Sequence, residues 1–260
     1  MSALITLVVP FYNEAGWIGA TLTSLSGQLD RRFRIILVDN GSTDGGKAEA
    51  VEACARMPDI EVLHLSVTKP GKTFALEAGI NRVTTAFVAT IDADTIYPPG
   101  YTANILRLFQ ANPKAVAVMA VDLHGPHGSR QNRWRITKIL CKAWIFRNKC
   151  HAGGYAQAFR SEALARAGGF APSIWPYTLE DHEIIARIGK YGSVIYSSDH
   201  FCFPSDRRAD RRSVDWTRAE RLLYKLTPAS LNVAFFHRFL APQLKARNAL
   251  SARLRQKTWT

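Results

Sequence analysis

The stretch TTAFVATIDADT (residues 84–95) is an apolar run that ends in two aspartates with a single alanine between them. Aspartate is a poor strand former and is costly to bury, so Asp92 and Asp94 predict the point where a buried strand reaches the surface. If the backbone stays extended through residues 92–94, both carboxylates project to the same side of the strand. Two like charges this close repel unless a cation or a hydrogen-bonding ligand stabilises them. The stretch alone leaves two alternatives open, a solvated turn and a site for a hard divalent cation.

Strand-like and helix-like patterns alternate on both sides of this stretch. Buried strands are predicted from apolar, β-rich runs at residues 4–11, 33–40, 60–65, 86–94 and 115–123. Helices are predicted between them at residues 17–28, 45–57, 71–83 and 101–112. This alternation is typical of βαβ units and predicts an α/β fold with a mostly parallel central sheet. Ligands of such sheets bind off the carboxyl ends of the strands, where Pro10, Tyr12, Asp39 and the acidic pair are expected.

The net charge of +13 is concentrated in the second half of the chain. Residues 1–120 hold 10 lysines and arginines against 11 acidic residues, whereas residues 121–260 hold 24 against 10. This asymmetry predicts a second half that faces an anionic partner, either nucleic acid or an anionic membrane surface. No nucleic-acid-binding motif is evident, and such a role would leave the strand-end aspartates unexplained, so no nucleic acid partner is expected.

Sequence signals for export or for membrane insertion are not evident. The first residues, MSALITLVVPFYNE, lack the basic start of a signal peptide, and no stretch approaches the roughly 18 apolar residues of a spanning helix. The four cysteines are widely spaced and predict reduced thiols. We therefore expect a cytoplasmic protein, with peripheral attachment to the inner face of the membrane as a further option.

Six motifs occur in order along the chain, and together they carry a resemblance to a known family. They are VVPFYNEAGWI, VDNGSTDGG, KPGKTFALEAGI, TIDADT, HAGGYAQAFRSEAL and LEDHEIIARI. With these motifs the chain resembles the inverting family-2 glycosyltransferases of GT-A fold over residues 4–200. The resemblance implies a single α/β domain of GT-A (Rossmann-like) type. Its expected divisions are a nucleotide-sugar-binding half (1–120), an acceptor-side half with the catalytic base (121–205) and a basic, helical C-terminal extension (206–260).

The resemblance also implies metal-dependent transfer of one sugar from a nucleotide diphosphate sugar, with UDP favoured by its frequency in the family. By their positions in the motifs, the donor-binding residues would be Pro10, Tyr12, Glu14, Asp39, Lys72 and Asp92. From the residues alone, Asp39 could instead be a turn former and Lys72 a solvated lysine. Asp94 would hold Mn²⁺ or Mg²⁺, and His200 is a further candidate ligand because some GT-A enzymes use a late histidine. The metal would offset the negative charge that gathers on the departing diphosphate.

On the acceptor side, the motifs place Gly153, Gly154 and Glu180 with Asp181, which matches the position of the family's catalytic base. Inversion requires a single in-line attack, so a carboxylate must deprotonate the acceptor hydroxyl as it approaches the sugar. The two acids also precede a helix pattern, so the residues alone allow them to be first-turn acids that the helix dipole stabilises.

The chain departs from the polymer-synthesising members of the family, which carry a Gln-x-x-Arg-Trp motif and transmembrane helices. Its nearest equivalent is RRADRRSVDW, with Arg211, Arg212 and Trp216. We therefore expect addition of a single sugar. A sugar nucleotidyltransferase is a weaker alternative, because its first strand would lead to a basic, Gly-rich phosphate loop where this chain has PFYNEAGWI. A non-catalytic nucleotide-binding protein is the other alternative.

Two stretches of the basic half interleave lysine and arginine with aromatic and aliphatic residues. They are RQNRWRITKILCKAWIFRNKC (130–150) and LNVAFFHRFLAPQLKARNALSARLRQK (231–257). Such a stretch forms either a helix in the plane of a membrane surface or an amphipathic helix that packs on the core. The first alternative would account for the charge asymmetry, and it favours a lipid-linked acceptor.

Overall fold

The computed structural model of the chain describes residues 2–205 and 216–256. Within these residues eight strands form one sheet: β1 (Ile5–Phe11), β2 (Phe33–Asp39), β3 (Val62–Ser66), β4 (Phe87–Thr90), β5 (Thr95–Ile96), β6 (Ala115–Asp122), β7 (Gln157–Arg160) and β8 (Ser193–Pro204). The first eight helices are α1 (Ile18–Ser26), α2 (Gly46–Ala55), α3 (Lys72–Ile80), α4 (Tyr101–Ala111), α5 (Arg130–Ile145), α6 (Ser161–Arg166), α7 (Glu180–Ile188) and α8 (Arg218–Leu226). None of the described helices is both long and apolar enough to cross a lipid bilayer.

The strand order of the sheet is β3-β2-β1-β4-β7-β6-β8-β5. Strand β1 pairs in parallel with β2 and β4, β2 with β3, and β6 with β8. Strand β7 is antiparallel to both of its neighbours, β4 and β6. Because the reversal at β7 is undone at β6, strands β6 and β8 run in the same direction as β1–β4, and the short edge strand β5 is antiparallel to β8. The carboxyl ends of β1, β2, β4, β6 and β8 therefore meet at one edge of the sheet, which we call the rim. The predicted α/β fold with a mostly parallel sheet is confirmed.

The extended backbone expected through residues 92–94 is wrong. The ladder ends where the Ile91 N–H donates to the carbonyl of Val8 (2.9 Å), and residues 93–94 form a turn. Two hydrogen bonds fix this turn, because the Asp92 N–H donates to the Tyr97 hydroxyl (3.1 Å) and the Thr21 hydroxyl donates to the Ala93 carbonyl (2.9 Å). The two carboxylates consequently have separate partners, and they do not form one face of a strand.

The main core fills both faces of the central strands. All seven residues of β1 and all eight of β6 are buried, as expected for strands that helices cover on both sides. Helix α3 lies directly on β1 and β2 at Gly79, where a Cβ would come within 2.5 Å of the Val8 side chain. A glycine is therefore needed here for the helix that begins at Lys72 to lie close to the sheet.

The C-terminal region forms a second, largely aromatic core against α7. A short helix α9 (Asn232–Ala234) continues through a π-helical turn (Phe235–Leu240) into α10 (Ala241–Ala246). The buried members of this core are Trp175, Ala186, Trp216, Tyr224, Phe235, Phe236, Leu240 and Leu244. Of the two alternatives for residues 231–257, packing on the core applies to the π-helical turn and α10, because Phe235, Phe236, Leu240 and Leu244 are buried and Phe236 lies edge-on to Trp175.

Two buried ionisable side chains fasten this second core to the main domain. Lys149 donates to the Tyr224 carbonyl (2.5 Å) and to Asn232 Oδ1 (2.7 Å), and burial lowers its pKa to about 8. Glu183 accepts from Arg187 (2.6 Å) and contacts His237 Nε2 on the π-helical turn (2.8 Å). Burial alone would raise the pKa of Glu183, but the hydrogen bonds from His237 and Arg187 outweigh it and lower the pKa.

Lys149 predicts a particular dependence of stability on pH. Its pKa is lower in the folded state than in the unfolded chain, so the unfolded state binds more protons between about pH 8 and 10.5. Stability should therefore rise with pH in this window. We expect the free energy of unfolding of the wild type to gain about 2–3 kcal/mol relative to Lys149→Met between pH 7 and 10, measured by urea unfolding.

Lys47→Met is the matched control, because Lys47 is exposed on α2. Its stability should follow that of the wild type at both pH values. A difference between wild type and Lys149→Met that is the same at pH 7 and 10 would show that burial does not lower this pKa.

Candidate active site

The loops that follow β1 and β2 are joined to each other at the rim. The strand register pairs Pro10 with Val38 and Phe11 with Asp39, so the predicted donor residues Pro10 and Asp39 lie on adjacent strand ends. Asn13, with φ +53°, accepts the N–H of Thr43 through Oδ1 (2.8 Å). Together these contacts place the loop that carries Tyr12 and the buried Glu14 beside the loop that Asp39 begins.

Asp39 does form a strand-end turn, as the alternative from the sequence allowed. Its Oδ1 accepts the N–H of Ser42 (2.8 Å), and the side chain is buried. This contact does not decide between a turn former and a ligand-binding residue, because a carboxylate has two oxygens and several lone pairs.

Asn40 fixes the approach to α3, and the sequence reasoning missed it. Its Nδ2 donates to the carbonyls of Val67 (3.0 Å) and Lys69 (2.8 Å), and its Oδ1 accepts the N–H of Gly71 (2.9 Å). Gly71 has φ +130°, a conformation that favours glycine. The position of Asn40 at the end of a predicted strand, in the motif VDNGSTDGG, could have indicated a role at the rim.

Lys72, the first residue of α3, forms an ion pair with Asp92. The distance from Lys72 Nζ to Asp92 Oδ1 is 2.5 Å, and both side chains are largely shielded from solvent. This contact answers the question that the paired aspartates raised, since an ammonium group lies against one of the two carboxylates. Lys72 is therefore not a solvated helix-start lysine.

The turn that carries the acidic pair is bound to two other parts of the rim. The Tyr97 hydroxyl accepts the N–H of Asp92 and donates to the carbonyl of Tyr155 (3.0 Å). Asp94 accepts the Ser205 N–H through its carbonyl (3.0 Å) and the Ser205 hydroxyl through Oδ2 (3.1 Å). The end of β8 therefore lies against Asp94.

The Gly-Gly segment before β7 brings the donor side and the acceptor side together. The Thr90 hydroxyl at the end of β4 donates to the carbonyl of Gly154 (2.6 Å). A Cβ on Gly154 would lie 3.4 Å from Lys72 Nζ and 3.5 Å from Asp181 Cβ. A Cβ on Gly153 would lie 2.5 Å from the ring of Tyr155. Position 153 must therefore be glycine for this ring to lie against the backbone. Lys72, Asp92, Gly154 and Asp181 thus lie close to one another.

Asp181 is held in the first turn of α7, which begins after Leu179 with φ +65°. Its Oδ1 accepts from the backbone N–H of His182 and contacts His182 Nδ1, both at 2.9 Å. Its carbonyl accepts from Gln157 Nε2 (2.9 Å). The ring of Trp216 lies edge-on to that of His182, with 4.8 Å between centroids. Burial opposes the charged form of His182, but Cys150 and Asp181 outweigh it and raise the pKa of His182 well above its usual range.

Cys150 completes a group of three possible metal ligands with Asp181 and His182. Their ligand atoms lie within 4.8 Å of one another, and among the described residues no other group of three His, Cys, Asp or Glu side chains does so. A thiol with an imidazole suits Zn²⁺ rather than Mn²⁺ or Mg²⁺, which prefer oxygen ligands. The group therefore does not fit the predicted cofactor. The carboxylates of the turn after β4 do fit it in their chemistry, with Asp94 the better ligand because Lys72 already lies against Asp92.

Glu180 opens the first turn of α7 beside Asp181 and is half-buried. The predicted late ligand His200 is fully buried on β8 and stacks on Tyr101, with 4.7 Å between ring centroids. Burial lowers the pKa of His200 to about 3. This position gives no support to a role in metal binding. Arg211 and Arg212 lie outside the described residues.

Asp122 is a rim residue that the sequence reasoning missed. It ends β6 and is buried, and its Oδ2 accepts from Arg135 of α5 and from the Tyr155 hydroxyl (3.1 Å). Asp122 lies at the end of the apolar run AVAVMAVDL, just as Asp39 lies at the end of FRIILVDN. This position could have indicated a rim residue. The Oδ1 of Asp122 has no hydrogen-bond partner among the described residues.

These features define an α/β protein with an acidic and basic site at the carboxyl edge of its sheet. The family model described as Glycosyl transferase family 2 matches residues 6–168, which is more than half of the chain. The chain belongs to this family.

A curated relative is the undecaprenyl-phosphate 4-deoxy-4-formamido-L-arabinose transferase of Serratia proteamaculans, 30% identical over 134 residues. The match covers 50% of this chain and 39% of the relative, so the chain spans well under half of that protein. The equivalent enzyme of Yersinia pestis is 32% identical over 122 residues, with 45% of this chain and 37% of that protein covered.

Solved structures share the fold. The mannosyltransferase PcManGT from Pyrobaculum calidifontis, in complex with GDP-Man and Mn²⁺, has a TM-score of 0.71 at 21% identity and covers 99% of this chain and 77% of its own. TarS of S. aureus in complex with UDP-GlcNAc has a TM-score of 0.60 at 16% identity, and the match covers 92% of this chain and 72% of the TarS chain. At these identities the likeness establishes the GT-A fold.

The ion pair of Lys72 predicts how the site responds to loss of this cation. In Lys72→Met, the carboxylate of Asp92 loses its ammonium partner and would repel an anionic ligand. We expect the affinity for a nucleoside diphosphate to fall at least about tenfold, measured by isothermal titration calorimetry. Lys69→Met is the control from the same basic stretch, because Lys69 lies over the ring of Phe74 (4.1 Å). Equal losses in the two variants would contradict a specific role for Lys72.

Proposed function

We propose that the protein transfers a single sugar, with inversion, from a nucleoside diphosphate sugar to an acceptor hydroxyl in a metal-dependent reaction. The observation that carries this proposal is the placement of Lys72 and Asp181 against the same glycine, Gly154. A displacement at the anomeric carbon needs a cationic site for the leaving diphosphate and a base for the incoming hydroxyl. The two side chains offer these functions next to each other.

The donor would bind across the ends of β1, β2 and β4. Pro10, Tyr12, Glu14 and Asp39 come from the joined loops and would hold the nucleoside, with Asp39 accepting a hydrogen bond from the base. Lys72 and Asp92 would lie at the diphosphate and the adjoining ribose. Uridine is the first base to test, and guanosine is the second, because a solved structure of the same fold contains GDP-Man.

Asp94 would hold Mn²⁺ or Mg²⁺, with Asp92 close by. When bound, such a cation supplies Lewis-acid stabilisation of the charge that develops on the leaving diphosphate. The protein itself holds Asp94 in place through a hydrogen bond from Ser205. It also keeps Lys72 paired with Asp92, the other aspartate of the turn.

Asp181 would accept the proton of the acceptor hydroxyl during attack. His182 holds one of its oxygens at 2.9 Å, Trp216 lies against the His182 ring, and Gln157 donates to the Asp181 carbonyl. The carboxylate is therefore oriented before the acceptor arrives, which lowers the cost of reaching the reactive geometry. Gly153, Gly154 and Glu180 would shape the acceptor side of the site.

A lipid phosphate is a second candidate acceptor, and one observation favours it. The Serratia relative is named for undecaprenyl phosphate. The second pKa of a phosphate monoester is about 6, so such an acceptor is ionised at neutral pH. It needs no base to remove a proton before it attacks the sugar. In either case a lipid-linked acceptor would be met at the cytoplasmic face of a membrane. In this scheme residues 1–120 bind the donor, residues 121–205 carry the base, and residues 206–260 form the basic extension.

The metal site can be tested by thermal unfolding with UDP or GDP, with and without Mn²⁺. We expect Mn²⁺ to add several degrees of stabilisation to the nucleotide-bound wild type, because a ligand that binds only the folded state raises its stability. In Asp94→Asn this increment should disappear. Asp59→Asn, at an exposed ion pair with Arg31, should keep it. A full Mn²⁺ increment in Asp94→Asn would remove this residue from the metal site.

The role of Asp181 can be tested by transfer from the stabilising sugar nucleotide. Asp181→Asn should retain donor affinity and lose about 10²–10⁴-fold in kcat toward a hydroxyl acceptor, since the amide cannot take the proton. Asp199→Asn, at an exposed aspartate of β8, should transfer normally. Wild-type kcat toward a hydroxyl acceptor in Asp181→Asn would exclude it as the base. Loss toward a hydroxyl acceptor but not toward a lipid phosphate would separate the two candidate acceptors.

A further inference from the structure

The outward face of α5 exposes large apolar side chains to solvent. Trp134 is 63% exposed and Trp144 is 73% exposed, whereas Ile139 on the opposite face is buried against β6 and β8. The exposed positions 134, 138, 141 and 145 recur at helical spacing, so they form one stripe along the helix. Lys138 lies over the ring of Trp134 (4.4 Å), which adds a cation to this stripe.

Helix α8 exposes a second set of apolar side chains. Leu222 is 58% exposed and Leu226 is 67% exposed, while Tyr224 between them is buried in the aromatic core. Leu231, which follows the helix, is also exposed. Helix α8 lies outside the two stretches, residues 130–150 and 231–257, in which basic and apolar residues interleave.

The C-terminal end of α5 lies near α8. The chain leaves α5 and reaches Lys149 and Cys150 within five residues, and these contact Tyr224 in the last turn of α8. Lys149 Nζ donates to the Tyr224 carbonyl (2.5 Å), and the Cys150 N–H donates to the Tyr224 hydroxyl (3.3 Å). Burial lowers the pKa of Lys142 on α5, and Lys138, Lys225, Arg135 and Arg221 lower it further, so cations of both helices share one region.

This region is strongly cationic. Helix α5 contains five lysines and arginines and no acidic residue. The only acid of α8 is Glu220, which is buried and paired with Arg247 at 3.0 Å. Exposed tryptophan and leucine interleaved with lysine and arginine are the composition of a surface that enters the headgroup region of an anionic bilayer.

Other occupants suit the region less well. RNA would engage the cations and stack on the indoles, but isolated exposed leucines gain nothing from a polyanion. A second copy of this chain would bring two faces of the same charge together, which is repulsive. A bilayer accommodates both features, because its surface is anionic and its interior is apolar.

We propose that the exposed faces of α5 and α8 form one docking surface for an anionic lipid bilayer. A lipid-linked acceptor would be met at this surface. Only that link to the acceptor rests on the proposed function. The inward face of α5 is connected to the candidate active site. Arg135 contacts Asp122, and Asp122 accepts from Tyr155, the neighbour of Gly154. A docked α5 therefore holds the acceptor side of the rim close to the membrane.

Vesicle flotation with the full chain tests this proposal. We expect binding to vesicles that contain phosphatidylglycerol, loss of that binding as salt rises, and at least about tenfold weaker binding to pure phosphatidylcholine. Leu222→Ser/Leu226→Ser and Trp134→Ala/Trp144→Ala should each lose at least about tenfold in affinity. Leu29→Ser is the matched control, because Leu29 is 78% exposed and lies outside both helices.

A charge reversal keeps the test independent of apolar packing. Lys138→Glu should weaken binding to anionic vesicles, whereas Lys47→Glu on α2 should leave it unchanged. Each variant is first checked for wild-type thermal unfolding and nucleotide binding, which separates failure of docking from failure of the proposed transfer reaction. Equal binding to both vesicle types, an equal loss in Leu29→Ser, or binding to single-stranded RNA without binding to vesicles would overturn the proposal.

Discussion

The contact between the ammonium of Lys72 and the carboxylate of Asp92 is the interaction on which the geometry of the site depends. It joins the start of α3 to the turn after β4, two elements that lie 20 residues apart in sequence. Asn40 and the positive φ of Gly71 hold the start of α3 in position, and Gly154 leaves space for the lysine next to Asp181. Without a cation at this point, the acidic turn would oppose any anionic ligand.

A continuous set of hydrogen bonds links this contact to the periphery of the molecule. Arg135 on α5 binds Asp122, Asp122 accepts from the Tyr155 hydroxyl, and the Tyr155 carbonyl accepts from Tyr97. Tyr97 in turn accepts the N–H of Asp92. Each polar group therefore orients the next, and Asp122 Oδ1 is the member of this network that has no hydrogen-bond partner among the described residues. The outer helix and the acidic turn are parts of one polar framework.

The sequence predicted the fold, and its candidate residues include Lys72, Asp92 and Asp181, which lie close together in the structure. It failed where a distant partner decides the outcome. Apolar runs identified β1, β2, β3, β4 and β6, but the two-residue β5 and the antiparallel β7 have no comparable pattern. The turn at residues 93–94 depends on Tyr97 and Thr21, which local propensity cannot reveal. Residues 231–257 have the composition of an interfacial helix as well as of a packed one. The burial of Phe236 in this stretch involves Trp175, which belongs to another part of the chain.

The π-helical turn at Phe235–Leu240 has a consequence for how this protein can vary in length. A π-turn holds more residues per turn than an α-helix, and here two successive phenylalanines are both buried while His237 reaches Glu183. Such a turn accommodates one more residue than an α-helix while the helices on either side keep their phase. Removing that one residue would therefore restore regular α-geometry and leave Leu240 and Leu244 in the aromatic core, whereas a deletion within α10 before Leu244 would rotate that side chain by about 100°. The π-helical turn is thus the place where this part of the chain can lose a single residue.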